Sequence, residues 1–489
     1  MNLAQRLLKA GVLNPEQLGA ALSRQKKYRG FLGRHLLELN LLDAEVLSRY
    51  TPAYPPVPRT FAETGVPEGL LSQLLLKHAY YRDYITVREM ADALKISEAL
   101  VETLMDSLNA QRFLEVKPRD PSRPGPLHLA VEIRYTLSDA ARKRTEQFME
   151  VNSYVGPAPV ALEDYWDWVE AQTIQQMQLE EEDLRRAFAD YVVPEELFYK
   201  IGPAVISGRS IFLFGPTGSG KTILAKAVGE AFRDRVFIPY ALYVFGQIIR
   251  LYDEVNHQPV TPDPDMPKFD QRWVLCRRPV VIAGGEMTED SLELKFNPML
   301  KYYDAPHQLR ANNGILIIDD FGRQKISPRH LLNRWMYPLE TRQDFCYLNT
   351  GQQFGIPFDQ LIIFCTNLDP YSLADAAFLR RIRHKIFVGH VNMDQYLEIF
   401  RRNCIQYNLE YREDAVREMA VRHYFQAARP MSACHPRDLL DNLQDRARFM
   451  GHEPELTAEQ LDAAAQSYFV KPKETLDYDT LLDEPRALA

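Results

Sequence analysis

The sequence predicts an α/β fold, a parallel sheet wrapped by helices, and three observations carry that prediction. The apolar run Ser210-Ile211-Phe212-Leu213-Phe214 delivers a glycine-rich turn, Gly215-Pro216-Thr217-Gly218-Ser219-Gly220-Lys221-Thr222, and a helix-forming stretch at 223–231 follows it. A second buried run, Ile315-Leu316-Ile317-Ile318, ends in two carboxylates, Asp319 and Asp320. From Val192-Val193-Pro194 onward, strand-like and helix-like patterns alternate, the signature of an open parallel sheet with helices on its faces.

The chain has 489 residues, 46% of them hydrophobic, enough for several domains with real cores. No run approaches the about twenty apolar residues that span a bilayer, and the first thirteen residues are amphipathic, with Arg6 and Lys9. A cytoplasmic protein with no membrane insertion is expected. The five cysteines form no C-x-x-C pair, which suggests neither a zinc site nor a disulfide framework. A net charge of -8 argues against a chain built mainly to coat nucleic acid.

In chain order, residues 1–50 contain an internal repeat. Leu3, Leu7, Leu8, Gly11, Val12, Leu13, Glu16 and Leu18 fall on Leu32, Leu36, Leu37, Asn40, Leu41, Leu42, Glu45 and Leu47. Each copy reads as a short amphipathic helix, a turn at Gly11 or Asn40, and a second helix capped by Asn14 or Asp43. The proline-rich stretch 51–67 reads as an extended linker. Residues 68–150 have the order of a winged helix: helices at 70–81, 87–94 and 97–111, a strand start at 84–86, then strands at 113–116 and 127–137. The third helix carries Glu98, Glu102, Asp106 and Asn109 on its polar face, whereas a DNA-reading helix needs Lys or Arg. A protein-docking role is therefore expected; Lys117, Arg119, Arg123 and Arg142-Lys143-Arg144 leave DNA as the alternative. A second linker, 151–163, leads to the α/β domain at 164–390, whose first part, 164–189, is a helical approach segment. A helical lid (391–470) and a polar, acidic tail (471–489) complete the chain.

The glycine-rich turn has the spacing G-x-x-x-x-G-K-T between strand and helix, the phosphate-cradling P-loop. Its glycines let backbone N–H groups approach phosphates, Lys221 reaches the β- and γ-phosphates, and the Thr222 hydroxyl ligates Mg²⁺. Asp319 would hold the hydrated ion and Asp320 would orient and deprotonate the attacking water. A third apolar run, Leu361–Thr366, ends in Asn367, an amide suited to sensing the γ-phosphate. Arg380 and Arg381 follow it, and His435-Pro436-Arg437 opens a helix further on. The binding candidates are thus Gly215, Pro216, Thr217, Gly218, Ser219, Gly220, Lys221 and Thr222, with Val192 and Val193 added at the entry to the core.

These elements together resemble the AAA+ ATPases over about 192–470. The resemblance implies Walker A and Walker B motifs, Asn367 as sensor 1, Arg380 and Arg381 as arginine fingers, Arg437 as sensor 2, and ATP with Mg²⁺ as cofactors. Asp320 departs from the pattern, where most members have Glu, and slow hydrolysis would follow from that. Lys221 and Asp319 lie further apart than one helix and one strand require. Gly284-Gly285-Glu286-Met287 through Lys301-Tyr302-Tyr303 to Gly314 looks like the helix 2 insertion of one AAA+ clade, and Phe345 to Ile356 resembles its pre-sensor 1 hairpin. In that clade both face the pore, making Lys301, Tyr302 and Tyr303 candidate grips on a client. The arrangement is similar to predicted bacterial AAA+ ATPases with chaperone-like activity associated with pilus assembly. It implies a homo-oligomer, a hexamer, acting on a protein client. The N-terminal repeat resembles the first domain of the type II secretion and type IV pilus ATPases, some of which bind cyclic di-GMP. Gln25 and Leu32-Gly33 fit that pattern, but Asn2 and Phe31 stand where it has arginine, and Ala4 and Asn40 replace glycines. Without a guanidinium to pair with phosphate, weak or no cyclic di-GMP binding is expected.

Overall fold

A computed structural model describes residues 3–28, 32–50, 53–117, 133–176 and 179–469. Asn2, Arg29, Phe31, Arg119, Arg123, the first part of the strand expected at 127–137 and the 471–489 tail lie outside the described residues, as do the side chains of Arg6, Gln25 and Arg34.

The fold is α/β. Five parallel strands form the central sheet in the spatial order His384–Phe387, Ile211–Phe214, Leu361–Thr366, Ile315–Ile318 and Val280–Ala283. Each of the three inner strands is an unbroken apolar run because helices cover both faces of the sheet. One face packs Ile211, Leu213, Ile317, Ile363 and Cys365 against the helices Lys221–Glu230 and Glu195–Ile206. The other places Phe212, Leu316, Ile318 and Phe364 against Phe321 and Trp335. There Phe212 and Phe364 stack at 5.4 Å and Phe321 meets both edge-on. This rigid sheet sets where its strands end, and the site lies at those ends.

Two departures from a simple strand and helix alternation explain the long interval between Lys221 and Asp319. After the P-loop helix the chain makes an antiparallel pair, Arg235–Pro239 with Trp273–Arg277, and a hairpin, Ala241–Val244 with Gln247–Arg250. Between Val280–Ala283 and Ile315–Ile318, where a second helix with an insertion was expected, the helical content is one 3-10 turn, Glu289–Leu292, and the short helix His307–Arg310. The rest of that segment gives strands Lys295–Asn297 and Tyr302–Asp304 to a second, mixed sheet. Its order is Lys295–Asn297, Tyr302–Asp304, Gln247–Arg250, Ala241–Val244, Val160–Ala161.

That sheet corrects the expectation for Lys301, Tyr302 and Tyr303. Tyr302 and Tyr303 are 7% and 2% exposed. Tyr302 meets Tyr154 edge-on at 5.6 Å, the Tyr303 hydroxyl accepts the Asn349 N–H at 3.0 Å, and the Lys301 ammonium donates to the Glu150 carbonyl. Tyr302 and Tyr303 are structural, because a strand inside a covered sheet has no side chain to spare for a client, and Lys301, half-buried in the turn before it, is tied to Glu150.

The segment expected to be a winged helix consists of helices Glu68–Tyr80, Val87–Leu94 and Glu98–Ala110 with strands Leu114–Val116 and Tyr135–Leu137, and Ile85 bridges to Tyr135. Its core continues into the second sheet through Ala241, Ile248 and Tyr302. The stretch 53–66, part of the segment 51–67 read from its prolines as an extended linker, is packed against the antiparallel pair Arg235–Pro239 and Trp273–Arg277 and the residues just before its second strand. Tyr54 meets Phe237 edge-on, the Pro55 carbonyl accepts the Asp270 N–H at 2.8 Å, and Arg272 donates to the Thr64 and Pro159 carbonyls at 2.7 and 3.0 Å. The first helices, Leu3–Lys9, Pro15–Tyr28, Leu32–Glu38 and Ala44–Tyr50, bury their own leucine core. Gly11 and Asn40 turn the two copies with φ of 68° and 52°, and Asn14 and Gln17 cap each other reciprocally at 2.7 and 3.0 Å. The C-terminal region is helical: Met393–Gln406, Glu413–Ala420, a π turn at Val421–Phe425, His435–Met450 and Ala458–Tyr468.

Candidate nucleotide site

The P-loop leaves strand Ile211–Phe214 and enters helix Lys221–Glu230. Gly215 must be glycine: its φ is 146° and a Cβ there would lie 2.2 Å from the Val388 carbonyl oxygen. Lys221 is half-buried, and its ammonium donates to the carbonyls of Gly215 and Pro216 at 3.1 and 2.7 Å and to Ser219 Oγ at 3.3 Å. Burial lowers the Lys221 pKa, opposed by the nearby Asp319 and Asp320 carboxylates. Ser219 is 6% exposed, and no described residue accepts a hydrogen bond from its amide. It lies at the positive end of helix Lys221–Glu230, where a phosphate oxygen can accept from it.

The two strand ends meet at the loop. The Thr222 hydroxyl donates to Asp319 Oδ1 at 2.7 Å, placing together the two oxygens suited to a shared divalent cation. Asp320 is exposed, with φ 49°, and its N–H turns back to Asp319 Oδ1 at 3.1 Å. Gln324 braces this turn, donating to the Asp319 carbonyl at 2.7 Å and accepting the Gly322 N–H at 2.8 Å. Asn367 donates to Thr217 Oγ1 at 3.3 Å, while its Oδ1 is buried with no partner among the described residues. Thr366 Oγ1 donates to the Phe321 carbonyl at 2.7 Å and so fixes the third strand end against the second. Lys221, Thr222, Asp319, Asp320, Asn367 and Thr217 thus share one locality.

The remaining candidates have other partners. Arg380 caps the short helix Ala376–Leu379 and is exposed, whereas Arg381 is largely buried with Nε 2.6 Å from Glu340 Oε1. Arg437 is exposed and donates to its neighbour Asp438 at 3.2 Å. Val192 and Val193 are half-buried, Val193 against the cluster of Leu184, Phe188 and Phe198. The lid reaches the P-loop at Cys434, whose N–H donates to the Gly218 carbonyl at 3.1 Å. Cys434, Gln324 and Thr366 were missed in the sequence. Only Cys434 carried a signal, its place immediately before His435-Pro436-Arg437, and no side-chain chemistry marked it.

A family model described as Domain of unknown function (DUF8689) matches residues 392–467, the helical lid. A vesicle-fusing ATPase of Caenorhabditis elegans is 26% identical over 161 residues, which are 30% of this chain and 19% of that protein. The chain therefore spans under a fifth of that relative. Among solved structures, NtrX from Brucella abortus is 15% identical with a TM-score of 0.35, covering 71% of this chain and 64% of its own. The RuvB Holliday junction branch migration motor of Thermotoga maritima is 12% identical with a TM-score of 0.32, covering 62% and 74%. The core is AAA+ ATPase-like in fold, on its own strand order and motif positions.

Proposed function

We propose that this chain is an ATP-hydrolysing ring remodeller acting on protein clients in the cytoplasm. The observation that carries the reading is the convergence of Lys221, the Thr222–Asp319 pair, Asp320 and Asn367 at the ends of three neighbouring parallel strands. ATP would lie with its phosphates on the P-loop, and Mg²⁺ would be held by Thr222 and Asp319, where it neutralises phosphate charge. Lys221 would leave the loop carbonyls for the phosphates, the Asn367 Nδ2 amide would donate to the γ-phosphate, and Asp320 would take the proton of the attacking water. An arginine from a neighbouring copy would complete the site, with the exposed Arg380 the better placed candidate, and this supports a hexameric ring. The acidic, exposed face formed by Glu98, Glu102 and Asp106 supports protein rather than DNA as the client side. The resemblance to pilus-assembly ATPases suggests that setting.

Lys221→Ala tests the reading: ADP and ATP binding by calorimetry should vanish, and a variant that binds as well as wild type would sink it. A DNA-acting motor is the second reading, favoured by Lys117 and Arg134 gathered over the Tyr84 ring at 5.9 and 4.3 Å. Tight duplex binding that weakens steeply with salt would move the conclusion there.

A further inference from the structure

We propose that the helical lid sets the phosphate affinity of the P-loop through a single backbone contact, the Cys434 N–H on the Gly218 carbonyl, which makes Cys434 a positioning residue; this rests on the nucleotide reading above. The contact is 3.1 Å long and comes from the residue that caps the lid helix His435–Met450. A peptide unit is planar and trans, so the Gly218 carbonyl and the Ser219 N–H point in opposite directions. Holding the carbonyl toward the lid therefore aims the Ser219 amide to the other side of the loop. That amide has no acceptor among the described residues, and a phosphate oxygen at the positive end of helix Lys221–Glu230 would supply one.

Gly218 cannot hold this peptide orientation unaided. Its φ of 75° lies where glycine is at ease, and without a Cβ the unit on its C-terminal side turns readily. The lid supplies the restraint by direct packing: a Cβ on Gly218 would lie 2.5 Å from Cys434 Sγ. Cys434 is itself fixed from within the lid. Its carbonyl accepts the Asp438 N–H at 3.2 Å, and the next residue, His435, bonds through Nδ1 to the Tyr424 hydroxyl at 2.9 Å, which in turn meets Tyr396 at 2.9 Å. The Ser432 N–H also reaches His435 Nδ1, at 3.4 Å. A lid that rotates as a body carries Cys434 with it, frees the Gly218 carbonyl and lets the Ser219 amide turn away from phosphate. Lid position and phosphate affinity are then one variable.

The test is Cys434→Pro in the full chain, which removes the N–H. Calorimetry with ADP and with AMP reads it. Loss of one hydrogen bond to a charged group predicts ADP binding weaker by about tenfold or more and a collapse of the preference for ADP over AMP. Cys434→Ala, which keeps the N–H, restores the preference. Equal loss of both nucleotides, or none, overturns the inference while leaving the nucleotide reading intact; wild-type protein that binds neither nucleotide overturns both. Should Cys434→Pro fail to fold, alkylation of the wild-type protein replaces it. Cys276, Cys346, Cys365 and Cys404 are buried and Cys434 is half-exposed. An adduct on Sγ has no room beside Gly218 and should abolish the ADP preference; an alkylated protein that keeps it overturns the inference.

Discussion

Asp320 holds a left-handed backbone with φ 49°, a conformation that suits the shorter acid. Asp and Asn visit that region because their short polar side chains bond locally, whereas other side chains incur about 1 kcal/mol or more. Asp320→Asn should therefore keep the turn, the melting temperature and ADP affinity while phosphate release falls by about a hundredfold, since only the base is removed. Undiminished turnover in that variant would end the assignment. Asp320→Glu should instead lower stability by about 1 kcal/mol, measured as urea midpoint against the asparagine variant. His435 gives a pH signature at the same scale. Burial, opposed by Asp438, lowers its pKa to about 4, so the folded lid holds it neutral. The unfolded chain binds a proton near pH 6.5 and the folded one near 4, so stability is complete above that window and is lost as pH falls through it. Thermal melts from pH 7 to 4 should show the loss, and His435→Gln should flatten it.

The packing of 53–66 depends on one buried pair. Arg272 and Asp270 have side chains 2% and 4% exposed, and the guanidinium joins Asp270 to the Thr64 and Pro159 carbonyls. Removing one member of such a pair leaves an uncompensated buried charge and typically costs about 3–5 kcal/mol. Arg272→Met should lower unfolding stability by that amount and loosen 53–66 from the strand pair Arg235–Pro239 and Trp273–Arg277, detected as faster amide exchange at Asp270, whose N–H is bonded to Pro55. Unchanged exchange there would show that the clamp is not what holds the strap. The prolines predicted an extended linker over 51–67; the described part instead contains the 3-10 turn Ala62–Thr64 and is packed, because prolines say nothing of what the chain lies against.

At the scale of the whole molecule the two arginines separate. Arg381 is tied to Glu340 on the helix Pro328–Thr341, while Arg380 is exposed. If sites are completed by a neighbouring copy, Arg380→Ala should be inactive alone and should poison wild-type rings when mixed with them. Activity strictly proportional to the wild-type fraction would argue for self-contained sites. Arg381→Ala should act on stability instead, because its loss leaves Glu340 without its partner.

Residue order alone determined the central sheet, the glycine-rich loop between its strand and helix, the paired acids and the position of Asn367 at the third strand's end. Each is written in contiguous residues: a fully buried parallel strand needs an unbroken apolar run, and a phosphate loop needs its glycines and lysine at fixed local spacing. The tandem repeat at Leu3–Lys9 and Leu32–Glu38 was legible for the same reason. Only tertiary structure decided the fate of Tyr302 and Tyr303, the helix that became strands, the exposure of Arg380 beside the burial of Arg381, and the contact of Cys434 with Gly218. Those outcomes depend on which distant segments lie alongside, Val160–Ala161 beside Ala241–Val244 or the lid beside the P-loop. No local periodicity encodes them: an exposed aromatic and a buried one read alike until the sheet that covers it is in place.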